Sequence, residues 1–309
     1  MNLKTSILGI LLLFFLSCKN KEAISLLDIA PNYVIELNEF DRISSNPNVK
    51  LIDFRKPSLY DKGHISGAIN IWRSDIEDTS YPYGGMMASK DSLEKLFSSK
   101  GIKNTDLLIV YDDNGLCDAA RFWWVLQNYG FTNIRLLHTT YTALRANNRS
   151  IDQEIPKVSS TDFKFTNKPF TTLYISKEDV LKKLNKNTII LDTRTPDEYS
   201  GKRQKNGAAK GGRIPTSTLI DWATAINFHS DKKLKSIQKL DSIYSTIIPS
   251  KKSDVVVYCH SGVRSAHTTF VLTQLLGYKN VKNYDGSWIE WSNFDSLPFE
   301  RDSITSKLN

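Results

Sequence analysis

Cys259 stands where a thiol can become a nucleophile. The run Val255-Val256-Val257-Tyr258 has the composition of a buried strand, and Cys259 follows at its carboxyl end. His260, Ser261, Gly262, Val263 and Arg264 form a short loop, and an amphipathic helix is expected from Ser265 to Leu276, stopped by Gly277. Ligands of open parallel sheets bind at the carboxyl ends of strands. A tight turn from strand into helix aims backbone N–H groups at one point, and the helix N-terminus adds positive potential. A sulfur at that point is stabilised as thiolate, the nucleophilic form. Gly262 permits the turn and Arg264 can meet an anion. The spacing from Cys259 to Arg264 is Cys-x4-Arg. Cysteine phosphatases use Cys-x5-Arg to cradle a phosphoryl group; the shorter loop makes a cradle matched to a sulfur atom.

The elements that position this loop occur twice. Val49 to Arg55 parallels Thr188 to Arg194, each an apolar run ending in Asp-x-Arg. Gly63 to Ala68 parallels Gly212 to Ser217, and Leu107 to Tyr111 parallels Asp254 to Tyr258. A helix is expected after each of the latter, Ala119 to Tyr129 before Gly130 in the first half. A unit of about 130 residues is therefore repeated, alternating short strands with helices. That pattern predicts an α/β fold of two tandem domains, each a parallel sheet with helices on both faces. The boundaries expected are 33–150 and 171–300, joined by a polar linker at 151–170 that carries Pro156 and Pro169. Aligned at Val-Tyr, Asp112 stands opposite Cys259 and Cys117 opposite Arg264. The first half thus carries a carboxylate where the second carries its thiol, so it lacks the thiol nucleophile. Trp123 and Trp124 on the first-half helix read as packing residues, and Cys117 as a loop or helix-start residue.

The repeat, Asp192-Thr193-Arg194-Thr195-Pro196-Asp197-Glu198-Tyr199, the loop at 259–264, and Asn283 to Trp291 resemble the two-domain rhodaneses, the thiosulfate and mercaptopyruvate sulfurtransferases. The resemblance covers about 33–300. It implies that Cys259 is the catalytic residue, taking sulfur from thiosulfate as a persulfide and passing it to a thiophilic acceptor, cyanide or a thiol. His260 and Arg264 are the candidates to hold the anionic end of the sulfur donor, Ser261 to add a hydrogen bond, and Gly262 and Val263 to complete the substrate-binding loop. Asp192 and Arg194 are expected to brace it. The basic loop favours thiosulfate over 3-mercaptopyruvate; a non-enzymatic sulfane-sulfur carrier, and a phosphatase or arsenate-type reductase, are the other readings. Arg213 stands where the family usually has His, and Thr216-Ser217 where it has Gly-Ala.

Residues 1–17 read as a signal peptide, with Lys4 ahead of a ten-residue apolar run, Ile7 to Leu16, broken only by Gly9. That run is too short to span about 30 Å of hydrocarbon. Ser17-Cys18 resembles a bacterial lipoprotein box, which implies lipidation of Cys18, a tether over 18–32, and a membrane-anchored protein of the cell envelope, periplasmic or outer-membrane associated. The absence of Asp after Cys18 means that no inner-membrane retention signal is present. Composition is globular: 40% hydrophobic, 24% charged, with a net charge of +8. Three cysteines exclude a disulfide framework. The five histidines, 64, 138, 229, 260 and 267, form no ligand pattern, so no metal or organic cofactor is implied. The basic residues are dispersed, without the basic aromatic stripe of a nucleic-acid binder.

Overall fold

Two apolar strands set the centre of each half. β5 (Leu107–Asp112) is buried along its whole length, and β11 (Asp254–Tyr258) along all but its first residue. Strands buried on both faces pair in parallel with helices above and below. The computed structural model, which describes residues 33–168 and 171–302, contains two such sheets. The first domain runs β1 (Val34–Ile35), α1 (Leu37–Ile43), β2 (Val49–Asp53), α2 (Pro57–Tyr60), β3 (His64–Ile65), β4 (Ile69–Asn70), α3 (Lys90–Ser99), β5, α4 (Cys117–Asn128), β6 (Ile134–Thr140), α5 (Tyr141–Ala146) and β7 (Ile151–Asp152). The second runs β8 (Tyr174–Ile175), α6 (Lys177–Lys183), β9 (Thr188–Asp192), α7 (Pro196–Ser200), β10 (Thr218–Leu219), α8 (Ile237–Tyr244), β11, α9 (Val263–Phe270), β12 (Asn280–Tyr284) and α10 (Ser287–Ser292). A π-helical turn, Val271–Leu275, prolongs α9.

The strand orders are β4-β2-β5-β6-β1 and β10-β9-β11-β12-β8, all pairs parallel. Asp53 pairs with Tyr111 and Asp192 with Tyr258, the same register in both domains. The tandem α/β architecture expected from the repeat is therefore present. Gly130 and Gly277, with φ of 74° and 72°, follow the two central helices as the left-handed stops anticipated.

Within the linker expected at 151–170, the described residues 151–168 are mostly exposed, but two stretches are tied to the first domain. Ile151–Asp152 pairs antiparallel with β3. Phe163 and Phe165, two apart in extended chain and so on one face, sink into the first domain's core, with Phe163 4.9 Å from Phe97. The Phe165 N–H donates to Glu94 Oε1 at 3.0 Å. The alternating aromatics pin this end of the linker to the first domain.

The domains share a core. α4 buries all of its residues, including Trp123 and Trp124. It lies against α9, with Trp123 edge-on to Phe270 at 4.9 Å. Ile226 and Lys232 close over Gly115, and the Leu234 N–H donates to His138 Nε2 at 3.1 Å. Because α4 and α9 each follow the central strand of their sheet, their packing brings the two strand-to-helix loops together. Among the described residues, no helix is long and apolar enough to cross a membrane. The signal segment, the tether and Cys18 lie outside the described residues.

Candidate active site

β11 delivers Cys259 to the sheet's carboxyl edge, where the residue is 1% exposed. The loop turns at Gly262, whose φ is 74°, and a Cβ there would sit 2.6 Å from the Asp285 carbonyl oxygen. No side chain fits that approach. Beneath the loop, Ser287 Oγ accepts the N–H groups of Cys259 and Gly262, both at 3.1 Å, and donates to the Tyr284 carbonyl at 2.8 Å. Ser287 itself holds φ at 52°, a left-handed conformation costly for any residue with a Cβ.

The sulfur has its own set of hydrogen-bond donors. The Ser265 hydroxyl lies 3.4 Å from Cys259 Sγ. Burial pushes the thiol up. The Arg264 charge and the hydrogen bonds from the Ser265 hydroxyl and the N–H groups of Ser265 and Ser261 outweigh it, and the net displacement is below the ordinary thiol value. The loop therefore favours a thiolate in a dry setting. Gly262 does not contribute an N–H to the sulfur, since its N–H is directed to Ser287.

Two of the loop's charges differ from expectation. Arg264 Nη1 and Nη2 bind the two Glu198 oxygens at 2.7 and 2.8 Å. Burial raises the Glu198 carboxyl, but the Arg264 bonds and charge bring it down to about 2. Arg264 is thus not free to clamp an anion and acts on Cys259 through its field. His260 was expected as a cationic contact for the sulfur donor. Instead burial, Lys205 and Arg264 push it down to about 4, so it is neutral near pH 7. Its Nε2 donates to the Asn206 carbonyl at 3.1 Å. Ser261 is pressed against Gly85 of the first domain, where a Cβ would come within 2.6 Å. Val263 turns its side chain into an apolar cluster with Cys117, Trp222 and Ile226 across the domain boundary.

Asp192 and Arg194 are buried. The guanidinium grips both carboxylate oxygens, with Nη2 at 2.6 Å from Oδ2, and donates to the Gly212 carbonyl at 2.7 Å. Its guanidinium carbon sits 4.9 Å from the Trp288 ring. The pair holds the 212 turn and the floor under α10 and makes no hydrogen bond with the Cys259 loop. Asp53 and Arg55 repeat it, with Arg55 Nη2 on the Gly63 carbonyl at 2.9 Å. Thr216, at a position where the family has Gly, takes φ of 63°.

In the first domain the equivalent loop is filled from within. Asp112 Oδ1 accepts from the N–H groups of Asn114 and Leu116, and Oδ2 from those of Asp118 and Ala119, at 3.0–3.1 Å. Cys117 is buried behind it, and burial with the Asp118 and Asp112 charges pushes its thiol well up, which keeps it protonated.

The structure adds residues that spacing does not reveal. Arg121 of α4, 1% exposed, pairs with Asp285 Oδ1 at 2.6 Å and donates to the Gly85 carbonyl at 2.7 Å. Asp285 Oδ2 accepts the Met87 N–H at 2.9 Å. The first domain thereby clamps the turn on which the Cys259 loop rests. Asp285 and Ser287 lie within the 283–291 motif; nothing in the sequence marks Arg121 as their partner.

A rhodanese-like domain profile matches the chain twice, at residues 36–147 and 176–294. A thiosulfate sulfurtransferase of Corynebacterium glutamicum is 31% identical over 280 residues, covering 87% of this chain and 91% of that protein. Among solved structures, SseA from Escherichia coli, reported with the fold and mechanism of 3-mercaptopyruvate sulfotransferases, superposes with a TM-score of 0.73 at 22% identity, over 83% of this chain and 99% of the other. An anaerobic ergothioneine biosynthesis enzyme from Chlorobium limicola gives a TM-score of 0.74 at 19% identity, over 88% and 70%. Both structures share the fold.

Proposed function

The chain belongs to the rhodanese family of sulfurtransferases, and on that premise we propose that it moves sulfane sulfur from thiosulfate to cyanide or a thiol through a persulfide on Cys259. One observation carries the proposal: Cys259 Sγ is the focus of the Ser265 hydroxyl, loop N–H groups and the Arg264 field, while Asp112 takes the matching place in the other half.

The Cys259 thiolate attacks the outer sulfur of thiosulfate. A new S–S bond forms, the S–S bond of thiosulfate breaks, and sulfite leaves with the electron pair. The negative terminal sulfur of the persulfide is held by fixed dipoles that need no reorganisation, the logic of an oxyanion hole. The acceptor then attacks that sulfur and the Cys259 thiolate is regenerated. Two separate half-reactions give ping-pong kinetics. Because Cys259 is 1% exposed, the sulfur donor enters only when a flanking segment parts. The segment around Gly85, lying on Ser261, is placed to do so. Cys18 as a lipid attachment point, holding the protein on the cell envelope, belongs to the same proposal.

The test is thiocyanate formation with thiosulfate and with 3-mercaptopyruvate, together with the intact mass after sulfur-donor treatment. Expected are the higher kcat/KM for thiosulfate, ping-pong patterns, a gain of one sulfur atom on Cys259, and loss of turnover and of the mass gain in Cys259→Ser. Full activity in Cys259→Ser refutes the mechanism; preference for mercaptopyruvate refutes the choice of substrate. A protein that releases its sulfur once but does not turn over is a carrier instead.

A further inference from the structure

A dianionic sulfur donor must approach a thiolate, and two anions repel unless a cation stands between them. The cations nearest the loop are mostly engaged. Arg264 is matched by Glu198, which is 4% exposed in its side chain and ionised down to about pH 2. Arg73, reaching in from the first domain, is paired with Asp118 at 3.2 Å. His260 is neutral. Lys205 remains. It precedes Asn206, whose carbonyl fixes the His260 ring at 3.1 Å, so its backbone is tied to the residue next to Cys259. The Ala208 N–H donates to the Lys205 carbonyl at 3.2 Å, which shapes the turn that carries it. The residue as a whole reaches solvent while its ammonium end lies partly among protein groups, and its Nζ has no hydrogen bond or ion pair among the described residues. Lys205 also stands within electrostatic range of Arg264, Glu198, Cys259 and Arg73: partial burial and the Arg264 charge lower its ammonium, while Glu198 and Cys259 raise it.

We propose that Lys205 is the binding cation for the anionic group of the sulfur donor, the role that the loop's own Arg264 and His260 cannot fill while paired and neutral. The inference deepens the sulfurtransferase reading and rests on it for the identity of the anion. A cation with no ion-pair partner, close to a buried thiolate, raises the local concentration of anions and offsets their repulsion by the thiolate. Its ammonium acts as a point charge, so Arg substitutes for it where charge alone matters.

The experiment compares Cys259 alkylation by iodoacetate, an anion, with that by neutral iodoacetamide, in the full-length protein at low salt. The unaltered protein, Lys205→Arg, Lys205→Gln and Lys205→Glu are measured. The iodoacetate-to-iodoacetamide rate ratio is expected to fall about fivefold in Lys205→Gln, to fall further in Lys205→Glu, and to be kept in Lys205→Arg, the differences shrinking with added salt. With thiosulfate as substrate, KM rises in the same order while kcat stays within about twofold. Because both reagents meet the same thiolate, a change in folding or in thiol acidity moves both rates together and leaves the ratio alone. An unchanged ratio in Lys205→Glu overturns the proposal. If the ratio falls but the unaltered protein transfers no sulfur from thiosulfate, Lys205 keeps its anion-binding role and the thiosulfate reading is the one that fails.

Discussion

Removing one oxygen from Ser287 should disable the site without touching the nucleophile. In Ser287→Ala the buried N–H groups of Cys259 and Gly262 lose their common acceptor and the Tyr284 carbonyl loses a donor. Each orphaned buried group costs about 1–3 kcal/mol, so the two N–H groups alone bring about 2–6 kcal/mol. For a protein of this size that corresponds to a fall in Tm of about 3–9 °C. The same bonds hold the loop's position under Sγ, and a displacement of about 1 Å at a reacting atom lowers rate on the order of 100-fold. The backbone supplies an internal check. Ser287 has φ of 52°, and Gly escapes the penalty of about 1–2 kcal/mol that any Cβ incurs there. Ser287→Gly should therefore melt above Ser287→Ala, although Ala is the better helix former and the position opens α10.

Thermal unfolding by circular dichroism and thiosulfate:cyanide turnover read both effects, and Ser265→Ala serves as the contrast. That change removes the hydroxyl 3.4 Å from Sγ but orphans neither Ser287-bound N–H group. It should leave Tm nearly unmoved while the pH midpoint of Cys259 alkylation moves up. A Ser287→Ala protein with unaltered Tm and turnover, or one more stable than Ser287→Gly, would refute the view that this hydroxyl supports the loop.

Glu198 gives a pH prediction. Its folded pKa, about 2, lies below the ordinary carboxyl value near 4.5, so its stabilisation is complete above pH 4.5 and is lost as pH falls through 2; the linkage is worth about 3 kcal/mol. The stability gap between the unaltered protein and Glu198→Gln should close across that window in acid unfolding, and a gap that stays constant from pH 5 to 2 contradicts the assignment. For the N-terminus, growth with an alkyne fatty acid should label the unaltered protein in the membrane fraction and leave Cys18→Ser unlabelled; equal labelling of both removes Cys18 as the anchor.

What was legible in the sequence was what repeats or what has a fixed local spacing. The paired Asp-x-Arg runs led to two sheets in one register because a parallel sheet buried on both faces needs continuous apolar strands. Cys259, Gly262 and the start of α9 were readable because strand, turn and helix follow within a few residues. Residues that act across the domain boundary left no such trace. Arg121 looks like any helical arginine until α4 packs on α9 and aims it at Asp285. Lys205 is one lysine in a polar stretch until the Asn206 carbonyl binds His260. The pairing of Arg264 and the neutrality of His260 left no trace for the same reason. Residue type supplies a nominal charge, whereas burial and Glu198, brought in by α7, decide which of them can meet an anion.

The Asp112 loop and the Cys259 loop share one backbone arrangement. Asp112 receives N–H groups from the residues two, four, six and seven positions after it. Cys259 Sγ draws on N–H groups two and six positions after it. The cradle is thus a property of the strand–turn–helix unit and binds whatever anion the strand end presents. In the first domain a carboxylate long enough to reach four N–H groups occupies it with both oxygens. A cysteine side chain is shorter by an atom and carries its charge on a single sulfur. Under the proposed mechanism, the outer part of the same cradle is then left to the atom that a persulfide adds. On that proposal, the difference between the two loops comes down to how far the first side chain extends into a preformed ring of N–H groups. The first domain retained that ring while its role became that of a clamp, through Arg121 and Gly85, on the second.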